Sequence, residues 1–272
     1  MTDVAFSDLT ELTSLAADDL FCVTDDSESS SEKSKKVEWE TIRDDLIITG
    51  QFLRPQFSWK DADELYIGAG FYDVAGKYAG WTSKLTKSIG SLSASTKYYV
   101  YLDESGITSG TAITASEIAI SSTAPSYSQT YRGWYNSADR CIFGFRTDGS
   151  SQLPEFYHSG EIVHFADHAS LYSNSPTSQT WTDVTCISPA FSTKAIVVIT
   201  GANANPRTLN WRTNGQTGTT GHRVLETASG STYDSASVIV DTDSSQKFEI
   251  YASGADTVTD VWQSGWFFPV GM

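Results

Sequence analysis

From Gln51 to the end of the chain, short β-type runs alternate with turns of Gly, Ser, Thr, Asn and Asp, the spacing of antiparallel sandwiches and barrels. The expected strands of the first stretch are Leu65–Ile67, Lys97–Leu102, Glu117–Ile120, Thr130–Tyr135, Arg140–Phe145 and Glu161–Phe165. Asp103-Glu104-Ser105-Gly106 and Thr147-Asp148-Gly149 are turn signals between them. The polar stretch Ala166–Gln179 is expected to mark a boundary. Beyond it come Trp181–Ile187, the apolar run Ala195–Ile199, Thr208–Arg212, His222–Leu225, Ala236–Val240, Lys247–Tyr251 and Val258–Phe268. Lys247–Tyr251 alternates between a core face and a wet face, as a half-buried antiparallel strand does. Roughly a hundred residues with about seven strands fit a compact β-sandwich or jelly roll.

Residues 1–50 have a different character, with 13 acidic and 4 basic residues, repeated Leu and almost no Gly. Asp8, followed three residues later by Glu11, is placed to cap a short Leu-spaced helical turn. Leu20–Thr24 and Lys36–Trp39 read as two strands of a hairpin, and Thr41–Ile48 as helical. A two-stranded hairpin is marginal alone, and a unit of this size without disulfide or metal seldom buries enough core to stand by itself. Leu9, Leu12, Leu15, Phe21, Val23, Val37, Trp39, Ile42 and Leu46 therefore need a cover supplied by other copies of the segment, by a larger partner, or by both. The expected organisation is a docking segment at 1–50, a β-domain at 51–165 and a C-terminal β-sandwich at 166–272.

With 18 basic and 33 acidic residues the net charge is −15, which repels phosphate backbones and anionic lipid and argues against a nucleic-acid partner. The acidity is read as a solubility device for an edge-bearing β-protein. No apolar stretch approaches the roughly 20 residues needed to cross a bilayer, and Met1-Thr2-Asp3-Val4 opens without a basic region or apolar signal core, so cytosolic synthesis without export or membrane insertion is expected. Cys22, Cys141 and Cys186 are odd in number and far apart, which suits free thiols better than disulfides or zinc ligands.

Phosphate-binding Gly-rich loops, nucleophile elbows, His-Glu-x-x-His and paired Cys-x-x-Cys are all missing from the sequence, so neither an enzyme nor a cofactor is expected. His164 and His168 have a spacing that makes a metal face only on a helix, and this region reads as strand running into loop. Asp241-x-Asp243 resembles the start of a calcium loop, but Gln246 and Ala252 stand where Gly and Glu are required, so a β-turn is expected. Glycan cleavage needs two carboxylates roughly 5 to 9.5 Å apart. Asp148, Glu155, Glu161 and Asp167 cluster in sequence, which is weak evidence in so acidic a chain. Aromatic residues crowd the last part, and Trp211, Tyr233, Trp262 and Trp266 are the candidates for stacking on sugar rings, with Asn210 and Arg212 as polar helpers. The plainer role of such residues is to fill the core and a subunit interface. Trp211, between polar neighbours, is the one most expected at the surface.

The segments Leu12–Asp25 and Ser34–Ile42, an Ala-Asp-Asp-Leu-strand-Asp element followed by a Lys-Lys-strand element, resemble the N-terminal region of many phage tail-fibre and tail-appendage proteins. Ser91–Asp103, Thr123-Ala124-Pro125 and Gly133–Ile142 are similar to a β-domain of phage and prophage structural proteins. The C-terminal part resembles no family. The resemblance implies a homotrimer on a virion, attached to other virion proteins through residues 1–50, and implies nothing about a ligand. The expected fold is mainly β, with a small α+β docking segment and two antiparallel β-sandwich or jelly-roll-like domains. The expected role is host attachment, with a host-surface glycan as the candidate ligand. A neck, head-fibre or tail component without a host ligand is the alternative, and a glycan depolymerase the remote one.

Overall fold

The structure is a computed structural model describing residues 20–24, 34–38, 52–173, 179–202, 205–227, 233–254 and 258–272. The chain divides into two compact units, Met1–Ile48 and Thr49–Met272. In the first, β1 (Leu20–Thr24) pairs antiparallel with β2 (Ser34–Glu38), with Phe21 opposite Val37 and Val23 opposite Lys35. The returning strand starts two residues before its expected place and ends before Trp39. The expected helices, with Leu9, Leu12, Leu15, Trp39, Ile42 and Leu46, lie outside the described residues.

The second unit is mainly β and built from antiparallel sheets. Its first part contains β3 (Phe52–Leu53), β4 (Phe57–Asp61), β5 (Glu64–Ile67), β6 (Gly70–Val74), β7 (Lys77–Trp81) and β8 (Leu85–Ser88). There follow β9 (Lys97–Leu102), β10 (Ile118–Ser121), β11 (Ser126–Ser128), β12 (Gly133–Asn136) and β13 (Asp139–Arg146). They form two three-stranded sheets, β3-β6-β7 and β4-β5-β8, and a five-stranded sheet in the order β10-β9-β13-β12-β11. β9 is buried on both faces from Tyr98 to Leu102, which explains why its sequence runs apolar without alternation. Its tyrosine hydroxyls are satisfied inside: Tyr101 donates to the Thr123 carbonyl at 2.6 Å, and the Ser93 N–H donates to Tyr98 at 2.9 Å.

The second part contains β14 (Phe156–Ser159), β15 (Ile162–Ser173), β16 (Thr182–Thr185), β17 (Lys194–Ala202), β18 (Arg207–Thr213), β19 (His222–Thr227), β20 (Tyr233–Asp241), β21 (Lys247–Ala252) and β22 (Val258–Phe267). A five-stranded sheet β14-β15-β22-β17-β20 and a four-stranded sheet β16-β21-β18-β19 enclose one core. Ala195, Val197, Ile199, Val240 and Val261 come from the first sheet, and Val184, Leu209, Trp211, Phe248 and Ile250 from the second. Phe248, Ile250 and Ala252 are the inward positions of β21, matching the alternation expected for it.

The expected division at 165/166 falls inside β15, which runs unbroken from Ile162 to Ser173. β22 likewise serves both cores: Val261 lies in the sandwich, whereas Trp266 packs with Phe143 and Phe191 in the core of the first part. Phe268 and Met272 enter that first core as well. Polar contacts follow the same route, since Lys97 Nζ donates to Gln246 Oε1 at 2.8 Å and the Ala190 N–H donates to Tyr99 at 3.2 Å. The two stretches expected as separate domains thus share a pair of continuous strands and one hydrophobic core. The polar composition of 166–173 signals the solvent-exposed face of a strand.

Candidate functional site

The four expected ligand-binding aromatics do not converge. Trp211 is 8% exposed, faces the sandwich core from β18, and stacks on His222 with ring centroids 4.7 Å apart, so the expectation of surface exposure is corrected. Its polar neighbours Asn210 and Arg212 point to the opposite face of the same strand, as the two-residue strand period dictates. Trp266 is 1% exposed and belongs to the first core, so it offers no stacking face on an open surface. Tyr233 is exposed at 66% and Trp262 is half-buried. They lie on β20 and β22, the two neighbours of β17, with Tyr233 opposite Ala202 and Trp262 opposite Val198.

Arg212 is committed elsewhere. Its Nε donates to Glu249 Oε2 at 2.7 Å and its Nη2 to Oε1 at 3.2 Å, a bidentate pair nearly closed from solvent, while Nη1 donates to the Gly218 carbonyl at 2.6 Å. The guanidinium lies 4.2 Å from the centre of the Trp181 ring. The polar face of β21 is therefore sealed by a structural ion pair.

A concave feature rimmed by charged groups lies where the two parts of the unit meet. A half-enclosed cleft of about 190 Å³ has walls from Phe145, Phe165, Ile187, Pro189 and Trp266, and a rim carrying Arg146, Asp148 and Asp167. Two local irregularities build it. In β15, His164 pairs with Gly265 and Ala169 with Gln263, so the four residues 165–168 stand opposite Ser264 alone. Phe165 and Asp167, both within this extended bulge, line the cleft. After β13, the Asp148 Oδ1 accepts the N–H groups of Ser150 and Gln152, each at 2.8 Å, which holds the carboxylate in place. Arg146 donates from Nε to the Ser95 carbonyl at 3.2 Å, and Asp167 is exposed with no hydrogen-bond or ion-pair partner among the described residues.

Of the four acidic residues that cluster in sequence, Asp148 and Asp167 line this cleft. Glu155 instead accepts from the Tyr157 hydroxyl at 2.7 Å, and Glu161 lines a different depression together with Lys194, Ile239 and Val270. His164 and His168 lie on one strand, His164 at the last regular pair before the bulge and His168 within it, and share no helical face. Asp243 closes the β20–β21 turn, its Oδ1 accepting the N–H groups of Ser245 and Lys247 at 2.8 Å, which is the expected turn role. The cleft itself was not legible from spacing, because Arg146 and Ile187 come from distant parts of the chain.

An exposed apolar surface is formed by the outer face of β20, β17 and β22. Ile196 sits opposite Ile239, and Val198 lies between Ser237 and Trp262. Ile239 is 52% exposed, and β20 forms the edge of its sheet. Compared with known proteins, the chain matches no protein-family model and no curated sequence.

Proposed function

We propose that the chain is a non-enzymatic structural component of a bacteriophage virion, a tail fibre or receptor-binding appendage that self-associates as a homotrimer and attaches to other virion proteins through residues 1–50. The observation that carries this reading is the separation of Met1–Ile48 as its own unit, whose described part is a two-stranded hairpin. Such a hairpin needs apolar cover from outside itself, and it occupies the segment that resembles tail-appendage N-termini. The exposed apolar face of an edge-bearing sheet supports self-association, since copies of the same chain can cover both. The finer description of two sandwich or jelly-roll-like layers, with a small α+β docking segment, belongs to this proposal. A net charge of −15 disfavours nucleic acid as a partner, and among the described residues no helix is long and apolar enough to cross a membrane.

The test is assembly. Deleting residues 1–48 at the unit boundary should leave an oligomer with an unchanged β-type circular dichroism spectrum that no longer incorporates into particles. Normal incorporation of that truncated chain would overturn the attachment reading. A purely architectural component would incorporate in the same way and leave host cells unbound, whereas a receptor-binding appendage would label them.

A further inference from the structure

We propose that the cleft between β13, β15 and β22 is a sugar site that takes a single pyranose ring of a surface glycan. The inference deepens the appendage reading and rests on it only for the origin of the sugar. Size is the first constraint. At about 190 Å³ the cleft is smaller than the about 300 Å³ at which pockets for drug-sized ligands begin, so it accommodates one ring and not an extended chain.

Chemistry is the second. The walls are apolar and aromatic, and the rim carries two carboxylates and one guanidinium. Among the described residues, Asp167 has no partner, Asp148 has one oxygen anchored by backbone N–H groups and the other uncommitted, and Arg146 uses only its Nε. A wholly apolar ligand would strip water from these groups and leave them unpaired, which is costly. An anion would face two carboxylates, and a simple ammonium would sit beside a like charge on Arg146. A pyranose meets each demand: its C–H face lies on Phe165 and the cleft wall, while neighbouring hydroxyls donate to Asp148 and Asp167 and accept from Arg146.

Preorganisation is the third. The bulge at residues 165–168 places Phe165 and Asp167 on the cleft side at the expense of ladder bonds that a regular β15 would make. The Asp148 turn fixes the opposite rim. The binding groups are held before a ligand arrives, which lowers the entropy lost on binding.

The experiment titrates the full chain with methyl glycosides of glucose, galactose, mannose, rhamnose and N-acetylglucosamine, read by saturation-transfer NMR and calorimetry. At least one glycoside should saturate in the millimolar range. Asp167→Ala should weaken it by about tenfold or more, the loss of a charge-assisted hydrogen bond, with an unchanged melting temperature because the side chain is exposed and has no partner among the described residues. Phe165→Ala should weaken it as well. Tyr233→Ala, on the far edge of the sheet, should leave it unchanged. Absence of saturation by every glycoside, or undiminished binding in Asp167→Ala, would overturn the sugar site and leave the attachment reading intact. Failure of that reading appears separately, as normal incorporation of the chain lacking residues 1–48.

Discussion

His158 shows how one buried polar residue links folding to pH. Its Nδ1 accepts the Phe57 N–H at 3.0 Å and its Nε2–H donates to the Gly160 carbonyl at 2.9 Å, so the ring is held neutral with both nitrogens in use. Burial pushes its pKa below the usual 6.5, opposed by the Gly160 bond and assisted by the nearby Arg54 charge. Because the folded value is the lower one, folding favours the unprotonated ring. This stabilisation is complete above about pH 6.5 and is lost as pH falls toward the folded value, where a second N–H would confront the Phe57 donor. Urea unfolding between pH 7.5 and 5 should show stability falling on acidification, and His158→Gln, which does not titrate, should flatten that slope. An unchanged slope in the variant would assign the acid sensitivity to carboxylates. Residue identity alone revealed little of this. A lone His in Phe-Tyr-His-Ser has no sequence signature, just as Trp211 looked exposed because its chain neighbours are polar. Strand neighbours occupy opposite faces, so polar flanks say nothing about the side a tryptophan faces. The thiols were more legible: Cys141 and Cys186 are buried and free, and burial pushes the Cys186 thiol up to about 12.

Among elements, the regular strands could be read from pattern and the irregular ones could not. Lys97–Leu102 appears with the expected bounds, and the expected runs around residues 140, 195, 210 and 250 all lie within observed strands. β4, β6 and β7 were not anticipated, because Phe-Ser-Trp-Lys-Asp, Gly-Phe-Tyr-Asp-Val and Lys-Tyr-Ala-Gly-Trp mix glycine and charge with aromatics. Three-stranded sheets packed over a shared core tolerate such composition, since long-range packing outweighs local propensity. The boundary placed at residue 166 failed for a similar reason. A strand with one solvated face, interrupted by a bulge, has the composition of a linker. The consequence is measurable. A fragment beginning at residue 166 lacks the start of β15, loses the pairs Ile162–Phe267 and Val163–Trp266, and exposes Trp266 and Phe268. Expressed alone, residues 166–272 should be aggregated or molten, with weak near-UV circular dichroism and fluorescent dye binding, whereas a chain beginning at Thr49 should unfold in a single cooperative transition. A stable, monodisperse 166–272 fragment would show that the shared core is dispensable.

For the whole molecule, acidity and apolar surface act against each other. At −15 per chain, copies repel, and the repulsion grows as they assemble. The proposed interface must then gather enough apolar area to overcome it, and among the described residues the outer face of β20, β17 and β22, with Ile196, Val198, Ile239, Trp262 and Tyr233, is one surface that could supply it. This balance sets the salt dependence: shortening the Debye length from about 30 Å at 0.01 M to about 10 Å at 0.1 M screens the repulsion and leaves burial largely untouched. Assembly measured by sedimentation velocity should therefore strengthen with salt, opposite to the behaviour of an interface held by surface ion pairs. Ile239→Asp adds a carboxylate to the exposed edge strand of the face and should dissociate the oligomer, while its melting temperature in dilute solution stays close to that of the parent monomer because the side chain is half in water already. An oligomer that survives this substitution would move the interface to another surface. A parent chain that stays monomeric at high concentration in 0.5 M salt would remove self-association, and with it the trimer, from the account.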